Sequence, residues 1–253
     1  MRFDHAVIAV RDLERASALM RDAGFVVSPG GSHVGMGTEN AIVRFGVDYL
    51  ELISVSDEDA AVRASARSRE LAAFVKRHEA GLVGYALAPA SLATVAERLR
   101  SAGRDIEGPT AMRRMRPDGV LLEWELLIPD GVAWRRPWPF FIAWSRSDAE
   151  RLRIERPDRH PNGATAVSGV AVAVDDLASA RRLYDAALGG AIVASESALT
   201  YLVRDVAIDV VGPDDPRFPG LERGPGPFSL QLRAGITPPK IVEVLPSVTL
   251  TLA

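Results

Sequence analysis

The sequence contains no cysteine, which excludes disulfides, thiolate metal ligands, iron–sulfur clusters and a cysteine nucleophile. Any metal must then be held by histidine, aspartate or glutamate, and there are only four histidines. Lysine is almost absent as well: Lys76 and Lys240 are the only two, and the rest of the positive charge is arginine. Basic residues do not outnumber acidic ones. With 30 Lys and Arg against 33 Asp and Glu, the formal net charge is −3, so the basic footprint of a nucleic-acid-binding protein is missing. No apolar run approaches the ~18 residues of a membrane span. The opening MRFDHAVIAVRDLERA meets charge too early for a signal peptide, and a cytoplasmic protein is expected. What is present is ordinary for a globular chain: 253 residues, 47% hydrophobic, 25% charged and a mean hydropathy of +0.06. That composition excludes a disordered chain, and at roughly 100–200 residues per domain the length suits one large or two modest domains.

The chain repeats itself. Residues 5–25 read as an alternating strand, an Asp12-Leu13 helix start, an amphipathic helix carrying Leu13, Ala16 and Met20, and a Gly24 stop. Residues 84–104 repeat the pattern without a gap, Leu92, Val95, Leu99 and Gly103 falling on those four positions. A third copy at 169–190 sets Asp176-Leu177, Ala180 and Tyr184 on the same frame, with its stop one residue late at Gly189. Each copy leads into β-rich sequence with hairpin punctuation: NAIVRF and YLELISV, AMRRMR and VLLEWELLI, LTYLV and VAIDVV. The unit is therefore β-α-β-β-β. PFSLQLR and SVTLTLA offer strands of a degenerate fourth copy, whose helix Pro238-Pro239 interrupts.

These units set the expected domains. Residues 1–145 hold two modules, 1–55 and 81–130, with a helical insertion over 57–80 whose apolar positions are Val62, Leu71, Phe74 and Val75. A connecting arm follows at 146–165. Residues 166–253 form a second domain with one full module, 166–213, and a remnant, 225–253. The segment before the arm is rich in proline and carries Trp134, Trp138, Trp144, Phe140 and Phe141, aromatics able to cover a core edge or a pocket mouth.

A tandem β-α-β-β-β module with histidine on its first strand and glutamate on its fourth resembles the vicinal oxygen chelate superfamily, most closely its glyoxalase-like branch. The resemblance is carried by DHAVIAVRDL (4–13), GGSHVGMGTEN (30–40), YLELISV (49–55), GLVGYALAP (81–89), EWELLIPD (123–130), PFFIAW (139–144) and HPNG (160–163). It implies an α+β fold of curled mixed sheets forming cups, with helices outside, in two domains of which the second is degenerate. It also implies a divalent metal (Fe, Mn, Ni, Co or Zn) inside the cup, on ligands from the first and fourth strands of two paired modules. Carried over by position, the ligand positions hold His5 and Glu51 in the first module, and Gly84, which cannot ligate, and Glu125 in the second. The third module offers Gly169 and Asp209. The first pair of modules thus keeps three ligands of four, and the second domain at most one.

The residues support such a site on their own terms. Alternation sets Tyr49, Glu51 and Ile53 on one strand face and Glu123, Glu125 and Leu127 on another. A buried glutamate is costly unless paired or bound to metal. One histidine with two carboxylates suits several divalent metals and leaves coordination positions open. Against this, His5 can be a hydrogen-bonded strand-start histidine, and Glu51 and Glu125 can pair with Arg44, Arg114 or Arg116 on the neighbouring strands. His33 lies in a loop with Gly30, Gly31, Gly35 and Gly37 that can close over the cup or be an ordinary hairpin loop; Thr38 and Asn40 share it. Tyr85 points either into the cup or outward, the strand phase favouring outward. His160 is expected to brace the arm, and His78 to sit solvated at a helix end.

Two functions follow. In the first, a metal on His5, Glu51 and Glu125 chelates a small oxygenated metabolite, while Glu51, Glu125 or His33 moves a proton and Asn40, Tyr85, Glu123 and Trp144 bind substrate. The enzyme would be of lyase, isomerase or dioxygenase type. In the second, the cup is a metal-free small-molecule binding site. The loop glycines do not form a phosphate cradle, so no nucleotide cofactor is expected; nor is nucleic acid or a membrane. Modules can pair within the chain or across a homodimer, and pairing within the chain is the expectation.

Overall fold

The computed structural model describes residues 1–131, 134–220 and 224–253; Val132 and Ala133, in the tryptophan-rich segment, lie outside them. The first repeat folds as β1 (Arg2–Val10), α1 (Leu13–Asp22), β2 (Ser28–His33), β3 (Thr38–Arg44) and β4 (Tyr49–Val55). Helix α1 starts where its sequence asks it to, the Asp12 carboxylate accepting from Arg15 N. The inserted segment is two helices rather than one, α2 (Glu58–Ala64) and α3 (Ala66–Arg77). Extended Ser65 ends the first and caps the second, its hydroxyl accepting from Ser68 N.

The second repeat runs β5 (Ala80–Ala88), α4 (Leu92–Ser101), β6 (Ile106–Met115), β7 (Leu121–Pro129) and β8 (Phe140–Trp144), followed by α5 (Asp148–Ile154). Here the structure corrects the module boundary. The fourth strand is β8, made by the aromatic PFFIAW segment. The glutamate-bearing stretch, β7, is the third. The pairing is decisive: β4 runs parallel to β1, and β8 parallel to β5. The eight strands close into a barrel, β1-β4-β3-β2-β6-β7-β8-β5, which removes every free edge.

Residues 166–252 repeat the plan with β9 (Ala166–Ala173), α6 (Leu177–Leu188), β10 (Val193–Ala194), β11 (Ala198–Val203) and β12 (Val206–Val211), then β13 (Gly226–Arg233), β14 (Lys240–Leu245) and β15 (Val248–Leu252). The remnant thus has one strand more than the sequence suggests. Their order, β10-β11-β12-β9-β13-β15-β14, is that of the barrel with the counterpart of β6 missing, so this sheet stays open. In both units the last strand of each module lies between the first and the third.

One apolar cluster joins the outer face of the barrel to the second sheet and to α4 and α6, with Ile8, Leu82, Leu87, Val170, Leu183 and Leu230 among its members. Within it the Tyr85 and Tyr184 hydroxyls hydrogen-bond to each other. A second, smaller cluster fills one end of the barrel interior, where Leu71, Phe74 and Val75 of α3 pack on Val7, Ile53, Leu122 and Trp124.

Candidate functional site in the barrel interior

A closed barrel sends alternate residues inward. From β1 and β4 these are His5, Tyr49, Glu51 and Ile53; from β3, Thr38 and Asn40; from β2 and β6, His33, Met112 and Arg114. Strands β7 and β8 contribute Trp124, Leu126, Phe140, Ile142 and Trp144, and α3 closes one end with Arg67, Ser68 and Leu71. The cavity they line measures about 70 Å³, room for a small ligand held close to its walls.

Glu51 is its centre. One carboxylate oxygen, Oε2, lies 3.5 Å from His5 Nε2, and the other, Oε1, 3.6 Å from His33 Nε2. Asn40 Nδ2 donates to Oε1 at 2.5 Å and approaches His33 Nε2 at 3.4 Å. Gly30 makes room for this amide: a Cβ there would stand 2.0 Å from Asn40 Oδ1. Each imidazole is fixed from behind. A register shift between Phe3 and His5 brings adjacent residues together, so that His5 Nδ1 donates to Asp4 Oδ1 at 2.8 Å. His33 Nδ1 and Thr38 Oγ1 are 2.9 Å apart. The His5 ring also stacks on Tyr49, centroids 4.6 Å apart.

Burial sets the protonation states. It lowers the His33 pKa to about 4, despite the Glu51 charge, helped by the positive charges of Arg114 and His5. His33 is therefore neutral at neutral pH. Burial alone would raise the Asp4 pKa. The His5 hydrogen bond and the charges of Arg151, His5 and Arg2 outweigh it and hold the carboxyl well below the usual range. Tyr49 is pushed well above its ordinary value by burial and by the charges of Asp4 and Glu51.

The expected site is thus assembled in part. His5, His33, Asn40, Glu51 and Trp144 meet in the cavity. Glu125 and Glu123 do not: both are exposed on the outer face of β7, because Leu122, Trp124, Leu126 and Ile128 take the inner one. The inward residues of the true fourth strand, Phe140, Ile142 and Trp144, include no ligand. Tyr85 points outward, to Tyr184. Arg44 and Arg114 pair with Glu155 at the end of α5, at 2.9 and 2.5 Å, rather than with Glu51 or Glu125. His160 accepts from Val26 N at 3.0 Å and so ties the arm to the first module. His78 is exposed beyond the end of α3. Asp209 is held by Thr200 and Arg217.

The donor set does not fit the implied metal as it stands. Among the described residues no group of three or more histidine or acidic side chains is arranged to hold a metal ion. Glu125, the expected third ligand, is outside the barrel. At Glu51 the Asn40 amide already uses a lone pair of Oε1.

Sequence reasoning missed Asp4, Trp124, Arg67 and Glu155. For Trp124 the signal was present, in the apolar alternation Leu122, Trp124, Leu126. For Glu155, beyond the barrel strands, there was none.

Comparison with known proteins agrees with this architecture. The family model described as "Glyoxalase-like domain" matches residues 3–188, the barrel together with the first strand and helix of the second unit. A hypothetical protein from Staphylococcus aureus aligns over 100% of this chain and 98% of its own, with a TM-score of 0.78 at 17% identity. A mutant of 4-hydroxymandelate synthase from Streptomyces coelicolor aligns over 92% of this chain and 70% of its own, with a TM-score of 0.56 at 19% identity. Methylmalonyl-CoA epimerase from Mycobacterium tuberculosis covers 56% of this chain and 86% of its own, with a TM-score of 0.39 at 21% identity. A search of curated protein sequences finds no match to the chain.

Proposed function

This chain belongs to the glyoxalase-like domain family, within the vicinal oxygen chelate superfamily, and on that premise we propose that its first barrel catalyses proton transfer on a small organic molecule, with Glu51 as the base. The observation that carries the reading is the placement of Glu51: a buried carboxylate in an aromatic-lined cavity, flanked on both oxygens by histidines and, among the described residues, bonded to no arginine or lysine. A carboxylate so placed has an open side toward a ligand and little water around it, the setting in which general bases work.

In such a step Glu51 takes a proton from a carbon next to a carbonyl. The C–H electron pair moves into the carbonyl to give an enolate, and the proton returns to the same or a neighbouring carbon. Asn40 fixes the carboxylate rotamer, Asp4 and Thr38 orient the two imidazoles, and the tryptophans exclude water. Neutral His33 can donate a hydrogen bond to the developing oxyanion if its Nε2 carries the hydrogen.

The test is deuterium incorporation from D2O into hydroxyketones and 2-oxo acids, read by NMR with wild type and with Glu51→Gln. The isosteric change should lower the exchange rate by about 10²–10⁴-fold while leaving the fold intact. Unchanged exchange in Glu51→Gln would refute the reading. So would near-stoichiometric metal in protein purified without chelator, lost in His5→Ala, since the chemistry would then belong to a metal centre.

A further inference from the structure

The charge balance inside the barrel bears on what the cavity holds. Five arginines of the first unit are buried, Arg2, Arg44, Arg67, Arg114 and Arg151, against three buried carboxylates, Asp4, Glu51 and Glu155. Guanidinium groups do not deprotonate in proteins, so the surplus is permanent. Asp148 and Glu107 reach Arg2 and Arg67 from the rim, but their side chains are 46% and 47% exposed, and solvent screens such pairs.

Arg114 is where this surplus meets the cavity. Glu155 is shared by Arg44 at 2.9 Å, Arg114 at 2.5 Å, and Arg116 and Arg151 at 3.8 Å. Of these four, Arg114 alone lines the cavity. Among the described residues its one hydrogen bond is from Nη2 to Glu155, and its Nε is buried without a partner. It stands opposite His33 across the β2–β6 pair, and His33 Nε2 lies 3.6 Å from Glu51. A buried cation with an unfilled Nε therefore lines the same cavity as the base, one side chain removed from it, and aromatic rings line the wall nearby.

We propose that the ligand of this cavity is an organic carboxylate with an aromatic or branched apolar body, its carboxylate paired with Arg114 and its body laid against Trp124 and Trp144. An unfilled guanidinium donor gains most from an anionic acceptor. A singly charged carboxylate suits the site better than a phosphate, which would set a second negative charge beside Glu51. The proposal rests on the Glu51 reading for where the reacting carbon lies; the anion site itself does not depend on it.

Isothermal calorimetry with 3-phenylpropanoate, 3-phenylpropanamide and 2-phenylethyl phosphate tests it on wild type, Arg114→Gln and Glu51→Gln. Wild type should bind the carboxylate at least about tenfold more tightly than the amide or the phosphate, a difference of about 1.4 kcal/mol. Arg114→Gln should abolish the preference over the amide, while Arg44 and Arg151 still hold Glu155; Glu51→Gln should keep it. Equal binding of acid and amide by wild type, tighter binding of the phosphate, no binding of the acid at millimolar concentration, or unchanged acid binding by Arg114→Gln would each overturn the proposal. The wild-type comparison decides even where the variant does not fold. Loss of the acid preference leaves the base assignment standing, and normal deuterium exchange in Glu51→Gln removes the base assignment without touching the anion site.

Discussion

At the level of single residues, the site is built from side chains that would be unstable in the interior alone. His33 is neutral because burial disfavours its cation, and that has a sign. Its pKa falls from 6.5 unfolded to about 4 folded, so between those values the unfolded chain binds more protons and stability declines as pH drops. The loss from pH 6.5 to pH 4 is on the order of 3 kcal/mol. Asp4 acts in a different window: its depressed pKa contributes stability above about pH 4, lost only below that. In His33→Gln, urea unfolding at a series of pH values should therefore show a flatter profile between pH 6.5 and 4 and the same fall below it. An unaltered slope between 6.5 and 4 would count against a neutral His33.

His5, His33, Asn40 and Glu51 were legible because each combines a chemistry-bearing side chain with a strand or glycine-loop setting. Glu125 was misread because both faces of LLEWELL are plausible. The Glu-x-Glu face offers ligands and the Leu-Trp-Leu face offers core. Alternation says only that the faces differ; the closure of the barrel, whose interior here is aromatic, decides which one is buried.

At the level of elements, the strands and helices follow their local signals closely. The exceptions have local causes. The insertion breaks at Ser65, whose hydroxyl offers the next helix a cap. PFFIAW reads as an aromatic cover before the arm because proline and tryptophan surround it, yet its residues 140–144 form a strand that pairs with β5 on one side and β7 on the other, and long-range pairing of this kind leaves no mark in a short window. Helix α3 is the plug of the barrel, and Leu71, 1% exposed, is its most buried anchor. Leu71→Ala should cost about 2–5 kcal/mol in denaturant unfolding and enlarge the cavity. A change below 1 kcal/mol would mean that α3 does not pack as described.

For the whole molecule, the second sheet and α6 share one apolar cluster with the outside of the first barrel, and the Tyr85–Tyr184 pair lies within it. Tyr85→Phe leaves the Tyr184 hydroxyl buried with no partner, which costs about 1–3 kcal/mol. Calorimetry should show the lower melting temperature, with both units still unfolding in one transition because a single apolar cluster spans them.

The placement of each module's last strand between its first and third has a consequence in time. During synthesis β1, β2 and β3 emerge with a gap at the centre, and β4 fills it by a parallel, long-range pairing, the slow kind. His5, His33 and Asn40 are all present before that moment, and Glu51 is not: the residue at the heart of the site is on the strand that seals the module. The first module alone thus brings the imidazoles and the carboxylate together, whereas the cavity around them closes only when β8, more than eighty residues later, pairs with β5 and β7.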